Sequence, residues 1–393
     1  MSGSANAPSL LPDSLASNQP PGLSLRPRLE SVDLLRGLVM VLMALDHTRD
    51  FFTNVPFNPL DLQQTSPALF LTRWITHFCA PVFVFLAGAG AFLSTTRGKT
   101  TSELSWFLFT RGLWLVLLEL TYVNWFGWTF GISFHWFGMQ VIWAIGWSMV
   151  VLAGLVWLSR PAILAFGLGM IVLHNALDVV RPESFGAWAG LWRVLHAPGV
   201  FEVAPGVKCG VGYPLIPWTG VMAAGYAFGP LLLREAAIKR RWLLALALSF
   251  TALFIIVRST NLYGDPGPWA RQPTWLFTVF SFLNCEKYPP SLCFLLMTLG
   301  PALLLTAFDR RTPVLFKPLL VFGRVPLFFY LLHLPLTHGL SLLARHIQAP
   351  PDTGFGLAGV FLFWILIVGL LYPVCRWFAE FKRTHRSAWL SYF

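Results

Sequence analysis

The residues able to do chemistry in this chain stand inside runs that are otherwise apolar. The richest segment, Ser31–Phe52, reads Ser-Val-Asp-Leu-Leu-Arg-Gly-Leu-Val-Met-Val-Leu-Met-Ala-Leu-Asp-His-Thr-Arg-Asp-Phe-Phe. At 100° per residue, Asp33, Arg36, Met40, Met43, His47 and Asp50 fall along one helix face. Arg36 and His47 are then about 16 Å apart along the axis. Asp46 and Asp50 flank the histidine, and a carboxylate beside an imidazole fixes its tautomer and raises its basicity. Such a histidine suits general-base work on a hydroxyl or amine. Arg73 and His77 form an i, i+4 pair, as do His174 and Asp178. Arg111 and Glu119 share a third apolar run. The stretch Phe322–His338 repeats the first pattern, with Arg324 at its start, His333 deeper and His338 beyond. Glu286 and Lys287 stand at the mouth of another run.

The elements that must position these residues follow from composition. The chain has 393 residues, of which 56% are hydrophobic and only 11% charged. Mean hydropathy is +0.64. A soluble domain carries roughly 25% charged residues, so a soluble enzyme is excluded, and a disordered protein with it. The expected fold is an all-α, polytopic membrane helix bundle. Ten apolar runs are candidate spans: 32–53, 68–95, 104–125, 137–158, 161–180, 213–233, 241–258, 289–308, 318–344 and 355–379. They form one domain over 28–380, between a disordered cytoplasmic tail at 1–27 and a second tail at 381–393. The aromatic stretch 126–136 reads as an interfacial loop. Small-residue patches at 87–91 and 225–229 read as sites of close helix packing.

The net charge of +11 is scattered over short loops, which points to membrane topology rather than to nucleic acid. Sixteen Lys and Arg fall in the tails and in loops 96–103, 159–160, 234–241 and 309–317, against eight on the other side. Both termini are therefore expected in the cytoplasm, with loops 181–212 and 259–288 outside. The expected location is a bacterial cytoplasmic membrane, with the lipid bilayer as first partner; the oligomeric state stays open. Arg36, Arg73, Arg111 and Arg324 remain inside spans. The five cysteines show neither CxxC nor metal-ligand spacing, and a Cys209–Cys285 disulfide stays open. No metal and no nucleotide-hydrolysing motif is expected. His135, His196, His346 and His385 read as solvated.

An ionisable side chain inside a span is costly and is a functional hypothesis by default. The plainer alternative is a buried structural pair or a residue reaching the interface. Arginine forks bind phosphate bidentately. With Arg36, Arg324 and Arg111 towards the cytoplasm, they would bind the phosphates of an acyl-CoA donor. His47 with Asp46, His77 and His333 would carry the acyl transfer. Asp50, Arg73, His174, Asp178 and Lys287 would bind an acceptor arriving from outside. The competing readings are a proton-coupled transporter or flippase for an anionic or envelope-precursor substrate, and a non-catalytic partner in envelope assembly.

Three stretches carry a resemblance: the first span with its Arg36-Gly37 after Asp33, the run Arg73–Gly88, and Phe322–His333. Over about residues 28–345 the chain resembles bacterial membrane proteins allied to heparan-alpha-glucosaminide N-acetyltransferase, within a wider group of transmembrane acyltransferases acting on envelope sugars. The resemblance implies acetyl-CoA as donor and a glycan or lipid-linked acceptor across the membrane. It also implies Arg36 and His47 as the functional pair. The heparan-acting branch is expected to use a histidine in the first outward loop, and residues 48–76 contain none.

Overall fold

The computed structural model describes residues 29–96, 98–307, 313–347, 354–385 and 387–393. The expected N-terminal tail lies outside the described residues, as do Arg97, Arg310, Arg311 and Arg386 of the charge count. The chain is a helix bundle. In order it forms α1 (Glu30–Phe52), α2 (Pro67–Ile75), α3 (Cys79–Thr95), α4 (Thr101–Leu118), α5 (Val141–Leu155), α6 (Arg160–Leu173) and α7 (Ala189–Leu195). Then come α8 (Leu215–Leu232), α9 (Ala236–Thr260), α10 (Trp275–Leu283), α11 (Leu292–Ala307), α12 (Lys317–Arg324), α13 (Pro326–Ile347) and α14 (Leu357–Thr384). Among the described residues, seven helical stretches are long and apolar enough to cross a membrane, so this is an integral, multi-pass membrane protein. Helices α5 and α11 are apolar but shorter.

Local sequence explains several boundaries. Ser66 caps α2 through the Leu69 amide, with Pro67 in the first turn. Thr100 and Glu103 form a capping box at α4. Val325 leaves helical geometry just before Pro326, which separates α12 from α13. Pro335 lies inside α13 without ending it. Beyond α4, residues Glu119–Trp128 continue as a π-helix, a widened form that is rare and common at functional positions.

The structure also differs from the sequence reading. The stretch 259–288, read as loop, contains α10. Three short strands, β1 (Trp136–Met139), β2 (Gly199–Ala204) and β3 (Val207–Val211), form a small sheet in the order β1-β3-β2. β1 runs parallel to β3, and β2 antiparallel to it. Each strand is four to six residues long; β2 and β3 lie in the polar connection 181–212, whereas β1 occupies the start of the apolar run 137–158, whose helix begins only at Val141. All five cysteines are buried and free, so Cys209 and Cys285 do not pair.

At two helix contacts the backbones approach most closely. A Cβ at Gly88 would stand 2.0 Å from the Met222 carbonyl oxygen, and one at Gly225 2.1 Å from that of Phe85. The small-residue patches thus seat α3 on α8. A Cβ at Gly37 would lie 1.8 Å from the Leu319 oxygen, and one at Gly323 1.8 Å from the Asp33 oxygen. This is the glycine of the Arg-Gly pair, and it lets α1 touch α12. Gly37→Ala should therefore destabilise the protein by roughly 1–3 kcal/mol. Gly90→Ala, where a Cβ meets nothing within 4 Å, should be neutral or stabilising by up to about 1 kcal/mol. Thermal unfolding in detergent separates the two; equal melting temperatures would mean that α1 and α12 are not held in contact.

Candidate functional site

The α1–α12 contact sets the register of everything further along α1. Arg36 donates to the Gly323 carbonyl (3.4 Å) and pairs with Asp33 (3.3 Å). The neighbouring Arg324 is exposed in the last turn of α12. Arg111 lies within electrostatic reach of Arg36 and donates to the Ser391 carbonyl (3.3 Å). The three arginines named from sequence therefore gather at one end of the bundle. The start of α1 and the C-terminal residues lie at that same end, where Thr110 and the Tyr392 hydroxyl are 2.8 Å apart.

Further along, α1 and α13 bring His47 and His333 together. Nδ1 of His47 is 2.6 Å from Nε2 of His333. The ring centroids are 4.9 Å apart and the planes differ by 18°, so the rings meet edge to edge. On the far side of His333, Nδ1 faces the carbonyls of Tyr330 (2.7 Å) and Phe329 (3.2 Å). Carbonyls only accept, so this Nδ1 carries hydrogen. When both rings are neutral, Nε2 of His333 must accept from Nδ1 of His47. The remaining lone pair is then on Nε2 of His47, which makes no hydrogen bond among the described residues. His333 is fully buried, whereas His47 is only half-buried. Trp128, at the end of the π-helix, meets the His47 ring edge-on at 5.6 Å, with Tyr330 at 6.5 Å. Phe51 stacks on both Trp128 and His338, and Phe130 stacks on the other face of His338.

The partner expected for His47 was a carboxylate, and the structure gives it an imidazole instead. Asp46 is engaged elsewhere: it pairs with Arg73 (2.5 Å) and Arg49 (2.9 Å). Arg49 also pairs with Asp50 (2.5 Å), whose side chain is the most exposed of the four. This network fixes the end of α1 against α2. His77 lies one turn past Arg73, fully buried, with both ring nitrogens unpartnered. Lys287 is buried within electrostatic reach of Asp46, His47 and His77, its ammonium 5.1 Å from the Tyr288 ring. The loop that delivers it is held by Asp265, which accepts from the Glu286 amide (3.0 Å) and the Ser291 hydroxyl (2.6 Å). Asp265 in turn pairs with Arg258 at 3.2 Å. Burial pushes the Glu286 carboxyl above its ordinary value.

Glu119 is fully buried and points at the N-terminus of α5, near the amides of Ile142 and Trp143, rather than at an arginine. His174 and Asp178 are grouped with His196 rather than with His47. His196, read as solvated, is buried and lies 3.0 Å from Asp178. Asn175 donates a second hydrogen bond to the Asp178 carboxylate. Sequence reading missed His196, Trp128, Tyr330 and the aromatic stack on His338. The only signals for them were one aromatic stretch and two residues close to His333.

A buried histidine pair in a polytopic bundle, with arginines gathered at one end, defines a membrane protein built for polar chemistry inside its helices. The family model described as heparan-alpha-glucosaminide N-acetyltransferase, catalytic, matches residues 28–265, and the chain belongs to that family. The match contains Arg36, His47 and Arg73 and stops before α13, so His333 is supplied by the part of the chain beyond it. No curated protein matches the chain.

The ion network yields a stability prediction. Arg73→Ala leaves Asp46 with one partner in a low-dielectric position, and should cost roughly 3 kcal/mol. Asp50→Ala removes a carboxylate whose side chain is 44% exposed, and should cost less than about 1 kcal/mol. Detergent melting curves measure both; the reverse order would move the anchor of α1 from Asp46 to Asp50.

Proposed function

We propose that the protein is a transmembrane acyltransferase that moves an acyl group, expected to be acetyl, from acyl-CoA to a hydroxyl or amine. The acceptor is an envelope glycan or a lipid-linked precursor reaching the site from the opposite end of the bundle. The observation that carries this reading is the His47–His333 pair, which leaves one imidazole lone pair on a half-buried nitrogen. Membership of an acetyltransferase family supports it. In this reading both chain ends face the cytoplasm of a bacterial inner membrane, and the ten apolar runs are the spans.

The donor enters where Arg36, Arg111 and Arg324 gather, and these hold its phosphates. His47 lies about 16 Å further along α1. That gap suits a long, narrow donor whose phosphates and thioester are far apart. Nε2 of His47 takes the proton of the acceptor as its oxygen or nitrogen attacks the thioester carbonyl. The new bond to the acyl carbon forms, the carbon–sulfur bond breaks, and the thiolate of CoA leaves. The imidazolium then returns the proton to the thiolate. His333 accepts from Nδ1 of His47 throughout, so it orients the ring and shares its positive charge. Lys287 and His77, within electrostatic reach of each other and, for Lys287, of His47, bind the acceptor. Asp46, Arg73 and Asp50 are positioning residues that hold the end of α1.

The test uses purified protein in liposomes with radiolabelled acetyl-CoA. Thioester loss and label transfer are followed for wild type, His47→Ala, His333→Gln and Arg36→Ala. His47→Ala should lower kcat by about 10²–10⁴. His333→Gln should lower kcat with KM unchanged, and Arg36→Ala should raise KM for the thioester. If wild type neither binds nor consumes acyl thioesters, the donor assignment fails. Flux of an anionic substrate without thioester loss would then establish the transporter reading.

A further inference from the structure

We infer that His174, Asp178 and His196 form a binding site for one divalent transition-metal ion of the zinc class. One ligand atom from each residue can be chosen so that all three lie within 4.8 Å of one another. The two histidines are 1% and 2% exposed. Both ring nitrogens of His174 are buried without a hydrogen bond of ordinary geometry. The Pro290 carbonyl lies within reach of one His174 ring nitrogen as an acceptor, which leaves the other nitrogen for a ligand. Buried polar atoms are almost always satisfied, so an unpartnered, buried His174 ring beside the His196–Asp178 pair points to a ligand. Ligand atoms around tetrahedral zinc lie roughly 3.3 Å apart, given metal–ligand bonds of about 2.0–2.2 Å. Nε2 of His196 and Oδ1 of Asp178 are already 3.0 Å apart. Only the His174 ring has to close on them.

The surroundings are arranged as they are around metal ligands. Asn175 donates to the second oxygen of Asp178 (2.8 Å), which orients the carboxylate. The same Asn175 accepts from the Leu292 amide (2.9 Å) at the start of α11. Imidazole with carboxylate selects zinc and its neighbours over magnesium or calcium, which prefer all-oxygen sets. Three protein ligands leave a fourth position for water. Binding displaces the proton between His196 and Asp178, so it weakens as pH falls. The ion joins the end of α6 to the connection that follows α7, and through Asn175 to α11. It therefore braces the wall behind the loop that carries Lys287. This site is separate from the His47–His333 pair and does not depend on the proposed reaction.

The experiment uses the full chain without a histidine tag, purified in detergent, stripped with chelator and given zinc sulfate alone. After desalting, elemental analysis should find about one zinc per chain, and zinc should raise the melting temperature by several degrees. Cobalt in its place should give the intense visible bands of a tetrahedral site. Affinity should fall at least about 100-fold in His174→Gln and Asp178→Asn, and about 10-fold in Asn175→Ala. Asp178 lies at the surface, so its variant remains informative if His174→Gln does not fold. The proposal is overturned if monodisperse wild type retains no zinc and shows no shift, or if both ligand variants bind zinc as wild type does.

Discussion

With a Cβ at position 37 the Leu319 carbonyl oxygen would sit 1.8 Å away, so α1 and α12 can touch only as bare backbones. The reciprocal contact at Gly323 makes the same demand. Two helices held this closely have no freedom to slide, because a shift of one residue would drive a side chain into a carbonyl. Fixed there, α1 and α13 rise side by side, and His47 and His333 arrive at one level. A hydrogen bond of 2.6 Å between side chains on helices nearly 290 residues apart in sequence requires that precision. The glycine beside Arg36 therefore bears on the histidine pair as directly as the arginine bears on its own end of the bundle.

The buried charges fall into two populations. Asp46, Arg49, Arg73, Arg258 and Asp265 have opposite charges within about 3 Å and fasten helix ends or loops. Breaking such a pair leaves an uncompensated charge where water does not reach. His77, Glu119 and His174 are as deeply buried, yet none of them makes a hydrogen bond of ordinary geometry. A fold stabilised only by its own contacts would have replaced them with apolar groups at little cost. Glu119 faces the first amides of α5, whereas His77 and His174 have no such helix end to serve.

Much of this was legible in one dimension. The first span announced itself because Asp33, Arg36 and His47 recur at helical spacing within an apolar run, and α13 because Arg324 and His333 repeat the order. What could not be read was who faces whom. Asp46 adjoins His47 in sequence, but successive residues point about 100° apart on a helix, and Asp50, which shares the His47 face, is taken up by Arg49. The partner came instead from another helix. His196 escaped because it lies in a polar connection, and burial inside a folded loop leaves no hydropathy signal. Strands β2 and β3 escaped for the same reason, whereas α10 is apolar but, at nine residues, too short to read as a span.

An imidazole behind His47 also makes physical sense where the sequence pointed to a carboxylate. A carboxylate there would bring a net negative charge into an apolar interior, and would need a cation of its own. The nearby carboxylate, Asp46, has two, and is held by them. A neutral histidine with Nδ1–H committed to the Tyr330 carbonyl fixes the tautomer of its neighbour and adds no charge to the resting site. On the proposed reaction, the positive charge that develops on His47 then spreads over two rings. The apolar and aromatic walls formed by Trp128, Tyr330 and Phe51 can surround the pair only because no ion has to be stabilised before the acceptor arrives.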